Sequence, residues 1–129
     1  MDDEKVTLSQ LKHTIDTFMK QREWGKYHTP KNLSMDIAVE AAELMEHFLW
    51  VESKDSLAAF EKSREEISDE IADIAIVFLE LCNVAHIDLA SAIEKKLAKV
   101  AIRYPIEQVK GMDPFQLKEF KKIQKQNNK

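Results

Sequence analysis

The sequence is poor in the residues that interrupt helices, with only two Gly and three Pro among 129 residues. An all-β chain needs many turns, and these residues supply most of them, so their scarcity predicts long helices and an all-α fold. The single cysteine, Cys82, excludes an internal disulfide and lies in an apolar run. That run, residues 71–84, is interrupted by Asp73 and Glu80 and is too short to span a bilayer.

Positive charge is also scarce relative to negative charge. Lys and Arg total 19 against 23 Asp and Glu, a formal net charge of −4. Proteins that bind the nucleic-acid backbone normally carry the opposite balance. The acidic N-terminus shows no signal-peptide pattern. We therefore expect one soluble, cytoplasmic domain over residues 1–129, with neither a nucleic acid polymer nor a membrane as its partner.

Capping residues predict where the helices begin. Thr7 with Gln10, and Ser63 with Glu66, have the spacing of capping boxes. Asp88 is a predicted N-cap, and Asp113 followed by a proline is another. The resulting helices are expected over about 8–23, 33–51, 63–83, 89–103 and from 114 onward, with a short loop over 26–32 and a fraying basic tail over 121–129. Short connections between such helices predict a four-helix bundle.

Acidic residues lie where these helices should be apolar. Glu40 and Glu43 are three residues apart and lie about 60° apart on a helical wheel, beside the apolar stripe. Glu70 and Asp73 repeat the spacing on the next long helix. The first pair extends into a predicted polar line, from Asp36 through His47 to Trp50.

Four carboxylates that converge in a partly dry site repel one another unless a cation neutralises them. Ligand sets made only of oxygen select hard ions, so the spacing predicts Mg²⁺, or alternatively Mn²⁺. Mg²⁺ held by carboxylates usually recruits phosphate oxygens of a substrate, which indicates phosphoryl chemistry. The alternative is that the acidic pairs belong to a solvated face, which is the interpretation we adopt for Glu61, Glu65 and Glu66.

Longer motifs surround these carboxylates. Residues 22–33 read Arg-Glu-Trp-Gly-Lys-Tyr-His-Thr-Pro-Lys-Asn-Leu, and residues 40–50 read Glu-Ala-Ala-Glu-Leu-Met-Glu-His-Phe-Leu-Trp. Residues 69–74 read Asp-Glu-Ile-Ala-Asp-Ile, and Arg-Tyr-Pro follows at 103–105. Together they resemble the MazG-like all-α nucleoside triphosphate pyrophosphohydrolases, most closely the dCTP-pyrophosphatase type. The resemblance covers about residues 8–105 and leaves out the C-terminal helix and tail over 106–129.

The resemblance implies an intertwined dimer or a dimer of dimers that cleaves a nucleotide between its α and β phosphates in a Mg²⁺-dependent reaction. Glu40, Glu43, Glu70 and Asp73 match the catalytic, metal-binding carboxylates. Residues at two aromatic positions, one loop and the fourth helix match nucleotide-binding positions, and these are Trp24, Trp50, His28, Lys31, Asn32, Lys96 and Arg103.

Two departures from the resemblance concern the base. Where cytosine-preferring relatives carry a His on the first helix and a Tyr one turn past the Asp, this chain has Ile15 and Val77. Hydrogen bonds to the edge of the base provide most discrimination, so their loss leaves base preference open.

The sequence thus predicts a nucleotide pyrophosphohydrolase that acts on a dCTP-like deoxynucleoside triphosphate and releases a monophosphate and pyrophosphate. One alternative is a sibling hydrolase with another preference, for dUTP or for many deoxynucleotides. Another is a non-catalytic helical oligomerisation or regulatory module, in which the carboxylates form a structural salt-bridge cluster.

Overall fold

Seven α-helices account for most of the chain, and the computed structural model describes residues 1–127. They are α1 (Leu8–Gln21), α2 (Pro30–Glu46), α3 (Ser56–Lys62), α4 (Arg64–Val84), α5 (Leu89–Arg103), α6 (Ile106–Val109) and α7 (Pro114–Asn127). Two 3₁₀ turns, Trp24–Lys26 and Ser53–Asp55, lie between helices. No strand occurs in the described part of the chain, which confirms the all-α prediction.

Several helices begin as their caps predict. At α1, Thr7 and Gln10 form a reciprocal capping box. Asp88 accepts a hydrogen bond from the Ser91 backbone N–H at 2.9 Å, and α5 spans the predicted range. Asp113 accepts from the backbone N–H of Gln116 at 2.8 Å and opens α7.

The predicted capping box at Ser63 does not form. Ser63 has φ −119° and ψ 35° instead of the extended backbone of an N-cap, and its side chain makes no capping hydrogen bond. The cause is local, because α3 ends where α4 begins and the Ser63 backbone N–H still donates to the carbonyl of Ala59. A residue that closes one helix cannot take the extended conformation that aims a cap at the next.

The second helix lies a few residues earlier than predicted. Thr29 caps it through the backbone N–H of Asn32, and Pro30 occupies its first turn, so the predicted loop is shorter at its C-terminal end. Its other end comes at Glu46, not near Val51. Beyond it, the backbone N–H groups of residues 48 and 49 bond three residues back, which tightens the chain into turns.

The described chain consists of two compact units, residues 1–87 and the helices from residue 88 onward. In the first unit, α2 packs most extensively against α4, and α1 also packs against α4. Their core contains the buried apolar side chains of Ile15, Met19, Leu33, Ile67, Leu79 and Cys82. Asn83 Nδ2 donates to the Lys12 carbonyl at 3.0 Å and joins α4 to α1.

The second unit contains α5, α6 and α7. Gly111 adopts a positive φ of 81° before α7, in agreement with the predicted break there. Gln124 Nε2 donates to the Arg103 carbonyl at 2.6 Å, and the Tyr104 and Phe120 rings lie 6.2 Å apart. The tail predicted to fray from residue 121 is helical to Asn127, and residues 128–129 of that prediction lie outside the described residues.

No single helix within residues 1–127 is both long and apolar enough to cross a membrane; only the bent pair of α4 and α5 has the combined length and composition of a span.

Candidate metal and nucleotide site

Three of the four predicted metal ligands lie together where α2 faces α4. Glu40, Glu43 and Glu70 each contribute a carboxylate oxygen, and these oxygens lie within 4.8 Å of one another. We call this cluster the acidic site. The i, i+3 spacing places both glutamates of α2 on the side that packs against α4. Glu40 and Glu70 are half-buried, whereas Glu43 is exposed.

The fourth predicted ligand, Asp73, is exposed and stands outside this group of three, yet it is close enough to act on it electrostatically. Burial raises the pKa of Glu40 above its usual value of 4.5. The charges of Glu43, Asp73, Asp36 and Glu70 raise the same pKa further, in that order of size. The carboxylates therefore repel one another in the absence of a cation.

The acidic site borders an open depression lined by Glu43, Glu46, His47 and Glu70. The acidic site makes one contact of ion-pair type within residues 1–127. In it, His47 Nε2 lies 3.8 Å from Glu70 Oε1. No Lys or Arg in the described part of the chain forms an ion pair with it. The site is thus open to solvent at Glu43, and its negative charge is largely uncompensated within the described chain.

The donor atoms fit a hard divalent cation. Mg²⁺ binds oxygens at about 2.0–2.1 Å, so two of its ligand atoms stand at most roughly 4.2 Å apart. Oxygens within 4.8 Å of one another approach that limit, and small side-chain rotations would bring them into range. All three donors are oxygens, which favours Mg²⁺ or Mn²⁺ over ions that prefer nitrogen or sulfur.

The predicted polar line along α2 is broken by the end of the helix. His47 and Trp50 follow Glu46 in the turns beyond α2, so they do not continue the helical stripe. His47 nevertheless remains beside the acidic site through Glu70. Trp50 is 95% exposed, so it makes no contribution to a core within the described chain.

The other predicted aromatic position, Trp24, lies in the 3₁₀ turn after α1. Its ring packs edge-on against Phe18 at 5.9 Å and against His28 at 6.2 Å between centroids, and the residue is 42% exposed. Glu23 enters this turn with a positive φ of 54°, a conformation that costs a non-glycine residue energy. The fold thus holds one indole with part of its surface open to a ligand.

The loop before α2 contains three more predicted nucleotide-binding residues. Asn32 uses its Nδ2 to donate to the Tyr27 carbonyl at 2.9 Å, which closes the loop. The Lys31 side chain is exposed. Thr29 caps α2, and the neighbouring His28 contacts Glu80 of α4 through Nδ1 at 3.2 Å.

Lys96 and Arg103 lie on α5, in the second unit, and both are exposed. Their predicted role in nucleotide binding stays a prediction, as do those of Trp24, Trp50, His28, Lys31 and Asn32.

Sequence reasoning missed the partner of His28. Glu80 is buried in α4, with 3% of its surface exposed. The available signal was a single glutamate within the otherwise apolar run 71–84, where a charged side chain needs a partner.

The family model described as the MazG-like family matches residues 35–114, which is more than half of the chain. The chain belongs to the MazG-like family. The matched range contains all four predicted metal ligands, from Glu40 to Asp73.

Relatives agree with this assignment. The chain is 29% identical to dCTP pyrophosphatase 1 of Rattus norvegicus over 107 residues, and 28% identical to that of Homo sapiens over 101 residues. These alignments include 81% and 77% of this chain but only 63% and 59% of the relatives, so the chain spans about three-fifths of their length. A solved pyrophosphatase from Archaeoglobus fulgidus is 37% identical, with a TM-score of 0.75 over 81% of this chain and 98% of that one.

Proposed function

We propose that this MazG-like chain is a divalent-metal-dependent nucleotide pyrophosphohydrolase, which adds water to the α phosphate of a deoxynucleoside triphosphate and releases a monophosphate and pyrophosphate. The observation that carries the proposal is the acidic site, three carboxylates from two helices with oxygens within 4.8 Å of one another. The names of the rat and human relatives and of the archaeal pyrophosphatase support the reaction class. The rat and human names also favour a dCTP-like substrate.

Glu40, Glu43 and Glu70 would hold the ion, with Asp73 beside them. A bound Mg²⁺ or Mn²⁺ supplies positive charge for the phosphate oxygens and lowers the pKa of a water. Glu43 is the most exposed of the three, so we assign it the role of accepting the proton of the attacking water. His47 Nε2 lies 3.8 Å from Glu70 Oε1, so a polar ring borders the acidic site.

Two alternatives from the sequence differ in how well the site supports them. A regulatory module would use the carboxylates in a salt-bridge cluster, but no Lys or Arg within residues 1–127 pairs with the acidic site. A sibling hydrolase with another base preference has the same acidic site, and Ile15 and Val77 leave that alternative open. The substrate panel below separates it from a dCTP-type enzyme.

The test is pyrophosphate release from dATP, dCTP, dGTP and dTTP, and from dUTP, with Mg²⁺ and with a chelator. Wild type is compared with Glu43→Ala and with the matched control Glu65→Gln, which removes an exposed carboxylate elsewhere on α4. We expect Mg²⁺-dependent release, greatest with dCTP, that Glu43→Ala abolishes and Glu65→Gln leaves intact. Folded wild-type protein that releases no pyrophosphate from any of these nucleotides would overturn the proposal.

We further propose that the chain forms a homo-oligomer, a dimer or a dimer of dimers. Met35 and Val39 of α2 are 58% and 51% exposed, and Ile71 and Phe78 of α4 are 46% and 40% exposed. Each pair lies along one side of its helix, and apolar ridges of this kind are typical of subunit interfaces. Light scattering after gel filtration should give a multiple of 15.0 kDa, and Val39→Glu should lower it. A monomeric wild type would contradict the proposed homo-oligomer.

The cytoplasmic location stays a prediction.

A further inference from the structure

A carboxyl group with an unsatisfied oxygen is buried in α4. Glu80 is 3% exposed, and its Oε1 lies 3.2 Å from His28 Nδ1. Its Oε2 is also buried and has no hydrogen-bond partner within residues 1–127. A buried polar oxygen without a partner opposes folding, and native structures keep few of them. An apolar side chain would serve packing better at this position, so Glu80 requires a reason other than stability.

The reason lies in what Glu80 does to His28. With Glu80 as the acceptor, the shared proton lies on Nδ1, and the neutral ring then presents Nε2 as an acceptor. Because Nδ1 is engaged, Nε2 is the ring nitrogen that can meet a ligand. The His28 side chain is 18% exposed, enough for one edge of the ring to be reached.

The surroundings of His28 fit the nucleoside part of a nucleotide. The half-exposed Trp24 ring lies 6.2 Å from the imidazole and offers a flat surface for a base. Glu70 of the acidic site lies ten residues before Glu80 on α4, about 15 Å along the helix axis, and Asp73 lies between them on the same side of the helix as Glu80. An extended nucleotide with its phosphates at the acidic site can therefore reach His28 with its sugar or base.

We propose that Glu80 is a positioning residue for nucleotide binding: its buried carboxyl group fixes the His28 ring so that Nε2 accepts a hydrogen bond from a donor on the nucleoside, beside Trp24. The proposal rests on the proposed function for the identity of the ligand. The donor is either the 3′-hydroxyl of the sugar or an exocyclic amine of the base, and the nucleotides chosen below distinguish them.

The first experiment measures kcat and KM for wild type, Glu80→Met and Glu80→Gln. Methionine replaces the carboxyl group with an apolar side chain of similar size, whereas glutamine retains an acceptor for Nδ1–H. Loss of one oriented hydrogen bond should raise KM about fivefold to tenfold in Glu80→Met, with kcat within about twofold. Glu80→Gln should restore most of the wild-type KM, and Glu65→Gln is the control for removal of a carboxyl group from α4.

Pairs of substrates that differ in one donor group distinguish whether the sugar or the base donates to His28 Nε2. If the sugar donates, wild type should prefer dCTP over dideoxy-CTP in KM, and Glu80→Met should lose that preference. If the base donates, the preference that disappears should be the one for dCTP over dUTP. An unchanged KM and unchanged preferences in Glu80→Met, with wild-type turnover intact, would overturn the proposal and leave the proposed function standing.

A second readout does not need turnover. Long-range nitrogen–proton NMR of the histidine rings reports which nitrogen carries the proton, and His28→Gln assigns its signal. Wild type and Glu80→Gln should show His28 protonated on Nδ1, and Glu80→Met should show a mixture dominated by Nε2–H. The same tautomer in wild type and Glu80→Met would refute the positioning role, even if wild type proved inactive and the proposed function had failed.

Discussion

The first unit of the molecule contains a cluster of carboxylates and one isolated carboxyl group on its packed helices, and the two differ in exposure to solvent and in the number of charges nearby. At the acidic site, three glutamates gather with Asp73 and Asp36 nearby, and an imidazole 3.8 Å from Glu70 is their ion-pair contact within the described chain. Near the other end of α4, one glutamate is almost fully buried and contacts a single imidazole at 3.2 Å.

The difference shows two ways in which a fold can maintain a carboxylate for use. Because Glu43 is exposed, solvent screens the repulsion between the carboxylates of the acidic site. The carboxylates can therefore remain close together without a bound cation. At Glu80 there is little solvent, and the fold tolerates one unsatisfied oxygen to hold one ring. We therefore expect the acidic site to respond to metal ions and the His28–Glu80 pair to respond to the nucleoside.

The largest effect should come from removal of a carboxylate within the acidic site. Glu70→Gln should lower pyrophosphate release by more than about a hundredfold, since even changes to the partners of metal ligands cost about 10- to 100-fold. Asp73→Asn should cost less, because Asp73 stands outside the three oxygens that lie within 4.8 Å. Equal losses in the two variants would make Asp73 a direct ligand and enlarge the acidic site to four carboxylates.

Metal binding without substrate should separate the two regions next. Mg²⁺ that binds only the folded state stabilises it by about 2.7 kcal/mol at a hundred times its Kd. Thermal unfolding should therefore show a higher Tm with Mg²⁺ for wild type and for Glu80→Met, and no shift for Glu43→Gln. A shift retained by Glu43→Gln would place the ion elsewhere.

The sequence predicted the acidic site because its pairs are local. A spacing of three residues on a helix fixes a shared face whatever the rest of the chain does, and the caps at Thr7, Asp88 and Asp113 are local in the same sense. The Ser63 prediction was wrong because the preceding helix reaches that residue, which its own spacing cannot reveal. The placement of Trp50 on α2 was wrong because no Gly or Pro marks the end of that helix.

No local pattern in the sequence indicates that His28 pairs with Glu80. The two are 52 residues apart, and only the packing of α2 against α4 brings them together. A glutamate inside the apolar run 71–84 was visible, but its partner was not. The partner of a buried glutamate can be identified only from the tertiary structure, because the sequence alone allows any of several polar residues to contact it.

A smaller effect should follow from relieving the buried oxygen. Glu80→Met removes an unsatisfied buried carboxyl oxygen, but it also removes the partner of His28 Nδ1, and a buried donor left without a partner costs about 1–3 kcal/mol. Because the His28 side chain is 18% exposed and its ring can carry the proton on Nε2 instead, we expect these two effects largely to offset each other. Urea unfolding should therefore give Glu80→Met a free energy of unfolding within about 1 kcal/mol of that of wild type. A clear loss of stability would mean that the His28–Glu80 contact holds the fold, and the contrast with the acidic site would disappear.

The smallest effect concerns pH, and it tests the repulsion within the acidic site directly. Because the pKa of Glu40 is raised in the folded protein, the folded state binds this proton more tightly than the unfolded state. Its contribution to stability is thus fully present below pH 4.5 and is lost as the pH rises through the raised pKa.

Glu40→Gln removes this loss, so in metal-free buffer its stability relative to wild type should increase as the pH rises from below 4.5 and then level off. Urea unfolding across that range, with chelator present and Glu65→Gln as the matched control for loss of one carboxylate, measures the difference. With saturating Mg²⁺ at neutral pH, wild type should become more stable than Glu40→Gln, because its carboxylates then bind the ion. A relative stability of Glu40→Gln that falls with rising pH would mean that a cationic group, not mutual repulsion, governs the acidic site.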